Sequence, residues 1–315
     1  MEKVVAKKRK TISKAVLKKN LLAWLIMLPS LALFAFFVWI PLFKNVLLSF
    51  FNDYSFSEFV GLKNYSALFN DVSFVAALKN TFLYIFWSLL IGFLVPMVIG
   101  FLLSEVIHAK GFFRVAIYIP CMISGIAVVF LFKNVYGDET YSILNVIVKA
   151  FGGKPKPWAS DANIIIPLIV IAMTWKGAGG TALIYLSNFQ QIDSSLYEAA
   201  RIDGAKPFQR FARIMMPQMR NTILTLLVLQ VISVFQVFYE PLVIGNWGGP
   251  LDSSMSIMLL AYKFAFHDFE FAKGAAASVF LALIILVFTL AYFGLVRYLS
   301  REEKKSWKCT TFTTK

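Results

Sequence analysis

The chain has 315 residues, of which 59% are hydrophobic and only 15% charged, and its mean hydropathy is +0.71. A soluble domain of this size must cover itself with polar surface, so the apolar excess excludes a water-solvated globule and requires lipid around it. The formal net charge of +14 does not point to nucleic acid, because the basic residues cluster beside apolar runs and form no groove or stripe.

At the N-terminus Lys7, Lys8, Arg9, Lys10, Lys14, Lys18 and Lys19 precede an apolar run over Leu21–Ile40. At about 20 residues that run is too long for the apolar core of a cleaved signal, and no small-x-small site follows it. It reads as a first spanning helix. Five more runs could each cross a core of about 30 Å: Thr81–Leu103, Val115–Phe132, Ile164–Ser187, Asn221–Ile244 and Ala275–Val296. The third is short and carries Pro120, and the fourth is interrupted by Lys176 and by Gly177, Gly179 and Gly180.

The expected fold is therefore an all-α membrane protein with six transmembrane helices. A basic N-tail (1–20) precedes the six-helix region (21–300), and a C-tail (301–315) follows it. With six spans, 21 of the 31 Lys and Arg residues flank one side. That side should be cytoplasmic, with both termini inside. On the opposite side Tyr141–Phe151 is apolar and predicts a short interfacial helix before the turn at Gly152, Gly153, Pro155 and Pro157.

The stretch between the fourth and fifth spans, 188–220, is too long and too patterned for a linker. Ser195 and Glu198 have capping-box spacing, and Leu196, Ala199 and Ala200 would share one face of the helix they begin. Gly204 is placed to end that helix and Pro207 to open a second. Phe208, Phe211, Ile214 and Met215 give the second helix an apolar stripe before Pro217. Such a hairpin could pack on its own bundle, or it could seat in the groove of a soluble partner. The pattern leaves both open.

The full segment reads EAARIDGAKPFQRFARIMMP, and Glu198-Ala199-Ala200, Asp203-Gly204-Ala205 and Ile214 through Pro217 resemble the EAA motif of bacterial ABC importer permeases. Met216 stands where that family more often has leucine, a nearly volume-conserving difference. Further similarities to the carbohydrate branch lie at Pro41, Ser49-Phe50, Val60 through Tyr65, Asn80-Thr81, Arg114 with Pro120, and Gly248-Gly249-Pro250. The resemblance implies a type I importer permease fold whose coupling helices sit in a cleft of an ATP-binding subunit. Glu198, Ala199, Ala200, Asp203, Gly204, Ala205, Phe208, Phe211, Ile214 and Pro217 would make that contact. It also implies a second, different permease, two ATP-binding subunits holding ATP and Mg, and an extracellular solute-binding lipoprotein or periplasmic protein meeting the loops 51–79, 135–161 and 245–273. The home of such an assembly is the bacterial cytoplasmic membrane, and its cargo a sugar or oligosaccharide, the alternative being a non-sugar or sugar-phosphate solute such as glycerol-3-phosphate.

Polar residues inside spans are costly unless they face protein, water or a solute. On helical spacing Gln230, Ser233, Gln236 and Glu240 fall on one stripe of the fifth span, and Thr174, Thr181, Tyr185 and Asn188 on one stripe of the fourth. Amides, hydroxyls and aromatic rings suit a saccharide, although the same residues could serve as glue between helices. Lys176 could snorkel, pair with a carboxylate or mark a kink. His108 and His267 have no ligand neighbours at metal spacing, and Cys121 and Cys309 form no disulfide or metal pattern. Gly152-Gly153-Lys154 lacks the first glycine and the hydroxyl of a P-loop, so nucleotide binding is expected on another chain and no cofactor on this one. An intramembrane enzyme would need clustered acids or histidines at a membrane surface, and none is visible. A channel or secondary transporter remains the other alternative.

Overall fold

The computed structural model describes residues 14–106 and 108–312, so Lys7, Lys8, Arg9 and Lys10 of the basic N-tail lie outside the described residues. Within it every element is helical apart from a single bridge between Phe51 and Phe59. Five helices are long and apolar enough to cross a bilayer: α1 (Lys19–Leu48), α3 (Val72–Glu105), α7 (Ile165–Phe189), α10 (Arg220–Val243) and the first part of α12 (Phe271–Phe312). Shorter helices stand between them: α2 (Lys63–Phe69), α4 (Lys110–Met122), α5 (Gly125–Val135), α6 (Ile143–Ala150), α8 (Ser194–Ile202), α9 (207–218) and α11 (Ile257–His267).

The sixth crossing expected at Val115–Phe132 is not one continuous helix. It is split into α4 and α5, which meet at 94°. Pro120 removes an amide from the ladder, and Ile123 and Ser124 are extended, so the chain turns sharply before Gly125 starts a new helix. The opposite correction applies to the fourth span, where Lys176 and the glycines do not interrupt α7. Gly179 instead lets α4 approach so closely that a Cβ there would collide with the carbonyl oxygen of Ile117. Cys121 Sγ seals the crossing by donating to the Lys176 carbonyl (3.0 Å) and accepting from the Gly180 amide (3.2 Å). Small residues at a helix crossing serve this purpose in lipid, where burial of apolar surface supplies no drive between helices.

The bundle is built around α3 and α7. Phe74, Ala77, Phe235, Leu259, Leu260 and Ala277 form one buried cluster, and Tyr84, Val129, Ile169, Val234 and Ile244 another. Helix α1 stands apart. No residue in the core of its apolar stretch is buried, and only its last turns touch the rest, through Leu48 against Ala272 and Ala275 and Asn45 Nδ2 donating to Ser278 Oγ (2.9 Å).

At the end opposite the 188–220 hairpin, side chains of α3 brace the loop that follows α10. Asn80 Nδ2 donates to the carbonyls of Asp252 (2.6 Å) and Met255 (3.1 Å), and Tyr84 Oη donates to Ser254 (2.9 Å). The loop needs that support, because Asn246, Trp247, Leu251 and Asp252 all have positive φ. At the same end Asp71 caps α3 through the Ser73 amide (2.9 Å) and accepts from Lys273 Nζ (2.7 Å), tying α3 to α12. Burial pushes the Asp71 carboxyl up, but the hydrogen bond and charge of Lys273 and the capped amides outweigh it, so its pKa is held below 3.8.

Two outcomes follow. Gly179→Val should cost about 2–3 kcal/mol of stability by overpacking, read as a lower melting temperature in detergent, whereas Gly177→Val, which points into open space, should leave it unchanged. Asp71 contributes stability above its unfolded pKa and loses it as the pH falls through its lowered folded value. Asp71→Asn should therefore be about 1 kcal/mol less stable at neutral pH, and the gap to the wild type should start to close below pH 3.8.

Candidate functional site

The 188–220 segment folds as two short helices around a glycine. The capping box expected at Ser195 and Glu198 does not form: Asp193 is the cap, its carboxylate accepting from the Ser195 amide (2.9 Å), and the helix begins two residues earlier, at Ser194. An aspartate two residues upstream supplies the acceptor that Ser195 would have offered. Helix α8 ends in a Schellman arrangement, with the Ala205 amide on the Ala200 carbonyl (2.9 Å), the Gly204 amide on Arg201 (3.0 Å), and Gly204 at φ +74°. A Cβ at Gly204 would meet nothing, so the demand for glycine there is one of backbone conformation alone.

Pro207 opens α9, with the Lys206 amide held by Gln209 Oε1 (2.8 Å). Pro217 does not end it. The helix passes through a π-turn at Phe211–Met215 and runs on to Gln218, because a proline in the first turn of a fresh α-segment has no amide to lose. That π-turn changes which residues share a face. At ordinary helical pitch Arg210 and Met215 would stand about 140° apart, whereas a turn with i→i+5 bonding brings them to the same side.

Both then face the bundle. Met215 is buried with Met97, Tyr185, Phe189 and Met219, and Phe211 packs against Phe101 with ring centroids 4.8 Å apart. Arg210 is only 5% exposed, and its Nη2 donates to Glu105 Oε2 at the end of α3 (2.8 Å). Tyr197 Oη donates to the Phe189 carbonyl (3.2 Å). Burial, and secondarily the Glu105 charge, raise the Tyr197 pKa against the opposing pull of Arg210.

The outward face is different. Ile202 is 86% exposed, Phe208 72% and Leu196 41%, and Glu198, Ala199, Asp203 and Gly204 lie on the same open surface. Ile214 and Ala205 are half-buried between the two faces, and Ala200 is turned partly inward. Glu105, Arg210, Tyr197 and Asp193 were not among the residues singled out from the sequence. Only a charge spaced among the inward apolar residues of α9 could have pointed to Arg210.

The membrane-embedded polar residues divide into groups. Gln230 Nε2 donates to Ser88 Oγ (2.6 Å), where a π-turn in α3 at Ser88–Phe93 brings Ser88 and Gly92 against α10. Gln230, Ser233 and Thr181 share a cleft of about 260 Å³ between α3, α7 and α10. Thr174 and Tyr185 point into packed protein, Thr174 Oγ1 donating to the Val170 carbonyl (2.7 Å) and Tyr185 being fully buried. Asn188 accepts from Thr222 Oγ1 (2.9 Å). The regular stripe expected on the fifth span is broken: α10 loses helical geometry at Gln236–Phe238, so Glu240 sits half-buried past the break and Gln236 is exposed at it. Among the described residues no group of His, Cys, Asp and Glu could hold a metal ion.

Residues 88–305 match the family model described as binding-protein-dependent transport system inner membrane component, which covers most of the chain. The chain belongs to this family of ABC importer permeases. A probable ABC transporter permease, YurN of Bacillus subtilis, is 33% identical over 87% of this chain and 94% of its own length. The lactose transport system permease LacF of Rhizobium radiobacter is 30% identical over 93% and 99%, and the arabinooligosaccharide permease AraP of Bacillus subtilis is 31% identical over 74% of each. A chain of a bacterial ABC transporter that imports alginate superposes with a TM-score of 0.81 at 24% identity, covering 89% of this chain and 96% of that one. The permease fold is thereby established. As a membership, this makes the chain a transport subunit of the inner membrane and not an enzyme.

If Glu105 anchors the hairpin, Glu105→Gln should weaken that attachment by about 1–3 kcal/mol, because it leaves a buried guanidinium short of its charged partner. Faster amide hydrogen exchange across 194–218, with no change in α10, would be the readout.

Proposed function

We propose that this permease carries a saccharide inward across the bacterial cytoplasmic membrane, driven by ATP hydrolysis in a separate subunit that grips the 188–220 hairpin. The observation that carries the reading is the hairpin's asymmetry. One face is locked to the ends of α3 and α7 by the Arg210–Glu105 pair and buried methionines, while the other offers Leu196, Ile202 and Phe208 to solvent. Exposed apolar anchors on a rigid helical element fit a groove in a partner. Glu198, Ala199, Asp203 and Gly204 complete the contact surface, and Phe211, Ile214 and Pro217 transmit its movement to the bundle.

The excess of basic residues on that side supports a cytoplasmic location for this hairpin and both termini. The uncovered α1 supports a second permease as its cover, since a span with lipid on every side gains no packing. Two ATP-binding subunits would hold ATP and Mg. On the outer face a basin of about 910 Å³ between α5 and the loop at 245–250, with the fully exposed Leu251 beside it, suits a solute-binding protein. A chain in the alginate system is seen with a saccharide-bound periplasmic protein, and relatives are named for lactose and arabinooligosaccharides.

The passage would use Thr181, Gln230 and Ser233 in the cleft and Gln236 and Glu240 at the break in α10. An interrupted helix at membrane depth is tolerated where it lines a cavity, and its freed backbone groups can meet a solute. Thr174 and Tyr185 would be reached only if the helices rearrange during the cycle.

The test of coupling is a pair of substitutions at Gly204. Gly204→Val places a β-branched residue in the left-handed region and should uncouple ATP hydrolysis from uptake, whereas Gly204→Asn should retain most coupling. Coupled uptake at the wild-type rate in the valine variant would overturn the lever. Along the passage, Gln236→Ala or Gln230→Ala should lower uptake severalfold while the complex still assembles, and unchanged uptake kinetics would remove these residues from it.

A further inference from the structure

Beneath the hairpin lies a second cleft, of about 350 Å³, which shares Glu198 with the coupling surface and the Arg210–Glu105 pair with the locked face. It is bounded by the end of α3, the start of α4, the end of α7, one side of α8 and the inner face of α9. Three cations line it, Lys110, Arg201 and Arg210, against two carboxylates, Glu105 and Glu198. Glu105 is already committed to Arg210 Nη2. Arg210 Nε, in contrast, is buried without any hydrogen-bond partner. That N–H is closed to solvent, so an acceptor reaches it only with a small shift of the side chain, whereas Lys110 and Arg201 are exposed on the same wall. Ser104 and Ser194 add hydroxyls to the same wall, and the first turn of α8 contributes the positive end of its dipole.

The position of the cleft narrows the ligand. Lys110 starts α4, and farther along that helix, on its outer side, Phe112, Val115, Ile119 and Met122 are exposed, with no buried residue anywhere in α4. A cationic pocket thus opens beside an uncovered apolar helix at the edge of the bilayer. That combination matches a molecule with a phosphate at one end and acyl chains at the other.

We propose that this cleft binds a phosphate group, supplied by an anionic phospholipid whose chains lie along α4, and that the bound headgroup completes the attachment of the hairpin to the bundle. The proposal rests on the reading above for its placement at the cytoplasmic leaflet. Soluble phosphate shares the headgroup chemistry and is the other source to be distinguished.

The test uses the full chain purified with the subunits that accompany it from the membrane, wild type and a Lys110→Gln/Arg201→Gln double variant that keeps Arg210 and Glu105. Native mass spectrometry would follow phosphatidylglycerol against phosphatidylcholine, and thermal melts would follow inorganic phosphate. The wild type should retain phosphatidylglycerol in preference, and the double variant should bind it roughly tenfold more weakly. Stabilisation of the wild type, but not the variant, by inorganic phosphate without any lipid preference would keep the site and assign it to a soluble ligand. Equal retention of both lipids with no phosphate effect would overturn the site, as would a structure of the assembly with a partner's carboxylate seated on Arg210. Co-purification of the ATP-binding subunit is scored in the same samples. Its absence alongside a preserved lipid preference would defeat the coupling reading and leave the site standing.

Discussion

One charged contact carries the architecture: Arg210 on the hairpin against Glu105 at the end of α3. Two short helices of 9 and about 12 residues cannot hold a fixed orientation by themselves, since isolated helices of that length are marginal in water. Their inner face gains rigidity from three sources acting together: the ion pair, the tyrosine bond from Tyr197 to Phe189, and the cluster of Met97, Met215 and Met219 with Phe101 and Phe211. Removing the charge on either side would leave its partner buried in a poor dielectric. A push on the outer face therefore reaches α3 and α7 directly, and these are the two helices at the centre of the packed bundle.

The same two helices frame the polar interior. The π-turn at Ser88–Phe93 and the loss of helical geometry at Gln236–Phe238 are departures from regular structure that lie next to the small cleft and the half-buried Glu240. Regular helix satisfies its own backbone and offers a solute only side chains. At these irregular places backbone groups are released as well. Helix α3 extends the connection to the far end, where Asn80 and Tyr84 hold the strained loop after α10. Hairpin, interior and outer loop are thus three stations along one helix.

Much of this was readable from residues alone. Apolar runs of about 20 residues announce spanning helices, and Gly204 followed by Pro207 announces an elbow, because each rests on a local rule of chain geometry. The likeness of Asn80-Thr81 and Gly248-Gly249-Pro250 to known permeases was also visible. That Asn80 reaches the backbone of the loop after α10, 172 residues along, was not, since no local rule joins them. Three departures from regular helix were not legible, for a common reason. The regular pitch of 100° per residue hid the π-turn that rotates Arg210 inward, the break that displaces Glu240, and the 94° bend between α4 and α5. Periodicity finds helices and is blind to the places where they stop being ideal. In this permease those places carry the polar groups.

The most direct measurement of the central claim is a cross-link from the hairpin's open face. A cysteine at Phe208, in an otherwise cysteine-free background, should form a bond to a matched cysteine in the ATP-binding subunit, with a yield that changes when ATP is bound and hydrolysed. A cysteine at Met215, on the locked face, should react only within the chain. If the residue at 208 reached no partner in any nucleotide state and was labelled from the lipid phase instead, the hairpin would be an idle surface element and the account would be contradicted.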